Sequence, residues 1–276
     1  MNRISLLQNA PRKFGKVLAA ALLLGCCADL KAADPLDDAW HFTLSPYIWV
    51  PGFSGSLNVQ QPPGYTGGKV GLGEDGYLDN LNFTAMGSFE ARKHKWSILF
   101  DTIYMDFSDP NRIAEFPEVP GAPTLKAETG IKGFIFESGG AYSLVRNERM
   151  NFDVLAGLRY SRLESKVDLN ITGTLPVWVA SRSVHVSQNF VDPIVGFKGK
   201  FNLGKKWYAP YHFDIGGFGL DSDITTQAAG GIHYSIRDWV SVGIDYRYLH
   251  YDFGDEGMLL KELTISGPEL AIGIHF

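Results

Sequence analysis

The sequence predicts an all-β fold: a closed antiparallel transmembrane β-barrel of ten strands, with eight or twelve as the alternative counts. Three observations predict it. Apolar side chains recur at every second residue in ten separate segments, the period that sends alternate residues to opposite faces of a strand. Beyond the N-terminal region, Asp, Glu, Lys or Arg interrupts every long apolar run, so no segment offers the ~20 apolar residues of a spanning helix. A membrane chain without such helices has to close its backbone hydrogen bonds around a barrel. Aromatic residues also gather at both ends of the segments, in two bands where a bilayer has its interfaces.

The N-terminus reads as a secretory signal peptide over residues 1–33. Arg3, Arg12, Lys13 and Lys16 form a basic region ahead of the apolar run Val17 to Ala28, with cleavage expected between 28 and 33. Residues 34–276 then form a single barrel domain. Leu23-Leu24-Gly25-Cys26 is the alternative, a lipoprotein-type signal in which Cys26 is lipidated. Both cysteines, Cys26 and Cys27, lie in this segment, so a mature chain cut at or after Ala28 has no disulfide, Cys-ligated metal or cysteine nucleophile. Of the 25 basic and 30 acidic residues, residues 1–33 hold five and one, which leaves 20 and 29, a formal charge of −9. Such a balance argues against nucleic acid as a partner.

The segments follow in order. Trp40 to Val50 sets Trp40, Phe42, Leu44, Pro46, Ile48 and Val50 on one face and His41, Thr43, Ser45, Tyr47 and Trp49 on the other. The second, near Asn82 to Arg92, presents Phe83, Ala85, Gly87, Phe89 and Ala91 outward. The third, Trp96 to Asp106, presents Trp96, Ile98, Phe100 and Tyr104. Phe134, Phe136, Tyr142 and Leu144 mark the fourth, and Phe152, Val154, Ala156, Leu158 and Tyr160 the fifth. The sixth carries Val191, Pro193, Val195, Phe197 and Phe201; the seventh Trp207, Tyr211, Phe213 and Ile215. The eighth offers Ala228, Gly230, Ile232, Tyr234 and Ile236, the ninth Val242, Ile244, Tyr246 and Tyr248, and the tenth Leu270, Ile272, Ile274 and Phe276. Each suits a tilted span of ~9–11 residues.

Connections alternate in length. Short turns near 93–95, 146–150, 204–206 and 237–238 separate long loops at 51–81, 107–128, 165–188, 219–224 and 253–262. Short periplasmic turns and long external loops are the habit of outer-membrane barrels, and an even strand count leaves both termini in the periplasm. Trp40, Trp96, Phe152, Trp207 and Phe276 form the periplasmic aromatic girdle; Tyr104, Tyr160, Tyr246 and Tyr248 form the far one. Pro46 and Pro193 each remove a ladder donor, which predicts bulges there.

Several stretches resemble a family of sparsely characterised proteobacterial outer-membrane β-barrel proteins, loosely related to small outer-membrane proteins of the A and W types. They are Pro46-Tyr47-Ile48-Trp49, Gly87-Ser88-Phe89-Glu90-Ala91-Arg92, Gly157-Leu158-Arg159-Tyr160, Val191-Asp192-Pro193-Ile194-Val195-Gly196, Gly216-Gly217-Phe218-Gly219 and Tyr246-Arg247-Tyr248-Leu249. The C-terminal strand ending on Phe276 resembles the closing strand of such barrels. The resemblance implies that Leu270, Ile272, Ile274 and Phe276 are read by the barrel-assembly machinery, and that outer-membrane lipid and lipopolysaccharide surround the wall. It implies fold and location, but no catalytic or binding residue.

The alternation turns many charges inward: Glu90, Arg92, Asp101, Glu137, Asp153, Arg159, Asp192, Lys198, Lys200, His212, Asp214, Asp245, Arg247 and Glu269. Counting from the turns places Glu137 opposite Arg159, and Lys198 opposite His212 with Asp214 diagonal to it. Asp245 and Arg247 are same-face neighbours. Mixed charges in a narrow lumen favour a paired plug; the functional alternative is a thin passive channel for small polar solutes. A surface-binding barrel acting through its external loops and a barrel-borne hydrolase of lipid or peptide are the competing functions. For the hydrolase, Ser183 and His185 share a face in Ser181-Arg182-Ser183-Val184-His185-Val186-Ser187, with Asp168 or Asp192 as the acid, but i,i+2 side chains stand ~7 Å apart along a strand. No catalytic residue, cofactor or metal ligand is therefore assigned. The seven histidines (His41, His94, His185, His212, His233, His250 and His275) lack ligand spacing. Asp252-Phe253-Gly254-Asp255-Glu256-Gly257 reads as an acidic turn, not a calcium loop. Gly71-Leu72-Gly73-Glu74-Asp75-Gly76 reads as a flexible loop, not a phosphate cradle.

Overall fold

The computed structural model describes residues 39–57, 69–72, 81–109, 124–174, 177–254 and 260–276. Residues 1–33, with both cysteines and the expected signal peptide, lie outside the described residues.

Strand-forming alternation produces strands throughout the described residues: β1 (Trp40–Trp49), β2 (Gly52–Leu57), β3 (Lys69–Leu72), β4 (Leu81–Lys93), β5 (Trp96–Asp109), β6 (Thr124–Arg146), β7 (Met150–Thr174), β8 (Val177–Asn202), β9 (Trp207–Gly217), β10 (Ile224–Arg237), β11 (Val240–Asp252) and β12 (Leu260–His275). Ten of them, β1 and β4 to β12, pair antiparallel in sequence order, and the pairing of β1 with β12 closes the ring. This is the ten-stranded closed barrel that the alternation predicts. β2 prolongs β1 along β12 in the same register, Trp49 facing Glu269 and Gly52 facing Ser266, and β3 pairs with β2.

Closure reaches the last residue. Phe42 N–H donates to Phe276 O (2.7 Å) and Phe276 N–H to Phe42 O (2.9 Å). On the outer face Phe42 stacks on both Phe276 (5.6 Å) and Phe89 (6.2 Å), so an aromatic row crosses the seam between β12, β1 and β4.

The short turns fall at 94–95, 147–149, 203–206 and 238–239. In one of them Asn147 Oδ1 accepts the N–H groups of Arg149 (2.9 Å) and Met150 (3.0 Å), the side chain supplying what the turning backbone cannot. The opposite ends depart from the predicted loops. β6, β7 and β8 run for 23, 25 and 26 residues, and β7 pairs with β8 without a break from Met150–Phe201 to Thr174–Val177. Residues 165–174 and 177–188 are therefore paired strand, because the Val, Ile and Thr alternation continues beyond any membrane-sized span. Gly71 and Leu72 likewise belong to β3, not to a loop, while 73–76 lie outside the described residues.

Neither proline makes a bulge. Pro46 is the last β1 residue paired with β4, and Pro193 stands one residue beyond the first β8–β9 pair, Ile194 with Gly216. A missing N–H costs least where a ladder ends. The register shifts lie elsewhere, for example between Ser143 and Val145 and between Ser235 and Arg237.

The ring also needs close backbone approach. Gly139 and Gly157 face each other across β6 and β7, and a Cβ on Gly157 would lie 2.9 Å from Gly139 Cα and would also meet Ser138 O. Gly157→Val is expected to cost about 1–3 kcal/mol through overpacking, measured as a lower midpoint of urea unfolding in detergent micelles. Leu158→Val on the outward face is expected to leave the midpoint nearly unchanged.

Candidate functional site: a filled lumen

Parity along each strand sorts the side chains onto two faces. Outward lie Trp40, Trp96, Trp207, Phe276, Tyr246 and Tyr248, all exposed, with Phe152, Tyr104 and Tyr160 partly covered by neighbours on the same face. Phe152 stacks on Phe197 (5.7 Å) and Tyr160 packs at a tilt on Phe134 (6.1 Å). Lysines in or beside the turns lean over this belt, Lys93 over Trp40 (5.6 Å) and Lys206 over Tyr234 (5.6 Å). That is the behaviour of a long cationic side chain at an apolar boundary. Trp96 and Tyr104 are eight residues apart on β5, about 26 Å of strand and about 19 Å of height at a ~45° tilt. Leu270, Ile272 and Ile274 complete the outward face of β12. Where the β1–β4 pairing stops, a recess of about 320 Å³ opens beside Leu44, Gly87, Phe89 and Phe100.

Inward, the charges gather into clusters. Toward the short turns, Arg92 bonds Glu90 (2.7 Å) and pairs with Asp153, which also accepts from Ser143 and from Asn151 Nδ2 (2.9 Å). Lys198 crosses to Glu90, although its register partner is His212. Lys200 lies over the Tyr208 ring (5.1 Å). On the other side of the ring a relay of hydroxyl and imidazole groups links Thr43, His275 (3.2 Å), Ser241 (3.1 Å), Tyr208 (2.8 Å) and His233 (3.2 Å), and ends on Asp245 (2.8 Å).

The next cluster along the strands centres on Arg159, which is fully buried. The predicted partner is correct: Nε of Arg159 donates to Glu137 Oε1 at 2.8 Å. The register also brings a second carboxylate from β9, Asp214 Oδ1 at 2.7 Å, and Thr225 from β10 at 3.2 Å. His212 shares a 2.8 Å hydrogen bond with Asp214 Oδ2. Beside it, Arg247 reaches Asp101 (2.7 Å) and Glu269 (3.0 Å) and lies over the rings of Tyr47 and Trp49, while Tyr47 Oη donates to Asp101 at 2.6 Å. Its same-face neighbour Asp245 pairs with His233 instead. Asp192 joins no ion pair of these clusters: it accepts from the Ser222 N–H (3.1 Å) and hydroxyl (3.0 Å) and holds the 218–223 turn.

Beyond the charges the interior is apolar, which a uniformly polar lumen did not anticipate. Trp49, Ile103, Met105, Ile135, Phe190, Leu249, Tyr251 and Ile265 pack as one cluster with Phe53 and Phe253, and Phe190 stacks on Phe253 at 4.6 Å. A smaller group, Leu99, Ala141, Leu155 and Ile194, sits among the charges. The signal lay in the sequence where alternation fails: Ile103-Tyr104-Met105 and Tyr248-Leu249 are apolar on both faces. Gln227, Thr225 and Ser241 also escaped notice, and His233 was weighed only for ligand spacing, since polar residues facing inward are unremarkable until the ring brings them together.

Among the described residues, one trio could offer metal ligands: Glu137, His212 and Asp214 have donor atoms within 4.8 Å of one another. Histidine spacing could not reveal it, because the ligands come from different strands. For the hydrolase candidate, the register sets Asp168 opposite Ser183 and Lys166 opposite His185. The side chains of those four residues are outside the described part. The acidic turn is described to Gly254, whose N–H donates to Asp252 Oδ1 at 3.0 Å.

No protein-family model and no curated protein sequence matches the chain. Solved structures do match its fold. The outer membrane protease OmpT from Escherichia coli aligns with a TM-score of 0.52 at 11% identity, over 90% of this chain and 99% of that one. The translocator domain of the autotransporter NalP from Neisseria meningitidis aligns at 0.36 and 12%, over 96% and 95%. Neisserial surface protein A aligns at 0.36 and 10%, over 86% and 99%. At these identities the OmpT likeness is one of fold.

Removing Arg159 leaves two buried carboxylates without their cation, and breaking such a group typically costs about 3–5 kcal/mol. Arg159→Leu is therefore expected to lower the unfolding midpoint far more than Arg162→Leu, whose half-exposed side chain pairs with Glu164 among the described residues. Denaturant titration followed by far-UV circular dichroism reads the difference.

Proposed function

We propose that the chain is an integral outer-membrane β-barrel protein with a closed interior, structural in kind and not an open pore. The outward apolar surface supports the membrane setting: Trp40, Trp96, Ile98, Leu158, Ile232 and Ile244 are each more than half exposed around a closed ring, a costly arrangement in water and a favourable one in lipid. The observation that carries the closed reading is the lumen itself. Arg159, Asp153 and Asp214 are fully buried, and so are Trp49, Ile103 and Ile135 beyond them. A passive path for small polar solutes would have to cross both the paired charges and the apolar packing.

On this reading residues 1–33 direct export, both termini are periplasmic, and the partners are outer-membrane lipid, lipopolysaccharide and the barrel-assembly machinery engaging Leu270, Ile272, Ile274 and Phe276. No catalytic role is assigned. OmpT is a protease, but 11% identity carries no activity to this chain.

A second reading, binding of a surface ligand through the outer ends, is favoured by one observation. A tilted span uses ~9–11 residues, and β7 and β8 run for 25 and 26. More than half of that hairpin therefore projects past the wall, where it can meet a ligand.

Purified, refolded protein in a planar bilayer is expected to give no discrete conductance steps; regular single-channel steps would overturn the closed reading. In vesicles, brominated acyl chains are expected to quench the fluorescence of outward Trp40, Trp96 and Trp207. Unquenched emission would overturn the membrane reading.

A further inference from the structure

Arg159 engages one oxygen of each of two carboxylates, Glu137 Oε1 on β6 and Asp214 Oδ1 on β9. The second oxygen of each meets a different neighbour. Gln227, on β10 and 2% exposed, places its amide nitrogen 3.3 Å from Glu137 Oε2, 3.3 Å from Asp214 Oδ2 and 3.4 Å from His212 Nε2. Its carbonyl oxygen, Oε1, is buried without a hydrogen-bond partner among the described residues.

The hydrogen bonds of this group do not balance. If His212 Nε2 carries a proton for Asp214, it presents an N–H to the Gln227 amide N–H₂. If it carries a lone pair, it faces a carboxylate oxygen at 2.8 Å. Amide oxygen and nitrogen are interchangeable by rotation of the head group. Turned over, Gln227 brings its orphaned oxygen to the meeting point of two carboxylate oxygens and an imidazole nitrogen. With the lone pair of His212 Nε2 directed there as well, four lone-pair donors converge, an arrangement that a cation between them stabilises.

We propose that Glu137, His212, Asp214 and Gln227 form a binding site for one divalent first-row transition-metal ion, with Arg159 holding the two carboxylates from the opposite side. Mixed imidazole and oxygen donors suit Zn²⁺ and its neighbours. Ligands at ~2.1 Å around a tetrahedral ion stand about 3.4 Å apart, which is the spacing Gln227 already keeps to the other three. The His212–Asp214 contact has to widen, by about 0.6 Å relative to that spacing, the donor atoms of Glu137, His212 and Asp214 already lie within 4.8 Å of one another, and His212, with its side chain 22% exposed, is the member placed to move and admit the ion. Arg159 acts as the outer support that fixes carboxylate orientation in metal sites. With four protein ligands the site is closed, so the ion ties β6, β9 and β10 together inside the wall and takes no part in chemistry.

The test uses the refolded chain in micelles, stripped with a chelator and titrated with Zn²⁺ by calorimetry, with bound metal counted after dialysis. Wild type is expected to retain one Zn²⁺ per chain and to melt at a higher temperature with Zn²⁺ than without. His212→Ala and Gln227→Leu are expected to bind at least tenfold more weakly and to lose that shift, and His94→Ala, in an exposed turn, to behave as wild type. Should His212→Ala fail to refold, Gln227→Leu, which leaves every charge in place, carries the same comparison. No Zn²⁺ retained by wild type, or equal retention by wild type and the site variants, would overturn the proposal.

Discussion

Closure of the backbone ladder is the constraint on which the rest of this structure depends. Once β12 pairs with β1 down to the Phe42–Phe276 couple, every strand of the ring has a partner on both sides, and each residue of the ring points either in or out with no intermediate choice. That single binary decides where every polar group must find its partner. An outward residue can meet lipid on the proposed membrane reading. An inward one has only the nine other strands.

The interior is therefore an exercise in neutralisation, and it is solved by clustering instead of pairwise matching. Arg159 serves two carboxylates, Arg247 serves Asp101 and Glu269 while resting on two aromatic rings, and Arg92 serves Glu90 and Asp153. Guanidinium suits this work because its planar fork presents several donors at once and stays charged when buried. Lysine appears where one donor suffices, as in the Lys198–Glu90 contact. Such clusters cost desolvation and return it only when complete, which explains why Thr225, Ser143 and Gln227 are recruited around them.

How much of this was legible before the ring closed follows from the range of each signal. Face assignment is local, and alternation gave Trp49 inward and Trp96 outward correctly. Cross-strand neighbours through a short turn are nearly local, so Glu137 opposite Arg159 and Lys198 opposite His212 could be counted off the turns. Contacts spanning non-adjacent strands had no such ruler. Asp214 joining Arg159, Glu90 taking Lys198 and Asp101 taking Arg247 depend on barrel curvature and stagger, which no short window of sequence encodes. The apolar storey was missed for a different reason: a rule that inward means polar treats Ile103 and Leu249 as noise, although two-faced apolar runs mark a stretch packed on both sides.

The two storeys bear differently on what can happen inside. The apolar storey, from Trp49 to Phe253, excludes water, and so strengthens every interaction at its boundary. The Arg159 cluster lies directly against that boundary: Tyr251, a member of the apolar group, shares a 2.7 Å hydrogen bond with Ser161, two residues from Arg159 on β7. Groups at such a border keep fixed partners because water cannot substitute for them. An unsatisfied carbonyl there, as on Gln227, is more consequential than one near the short turns, where Lys198 still touches solvent. The same feature that argues against a solute path thus makes the centre of the wall the place where a small, strongly bound ligand would matter most for holding the barrel together.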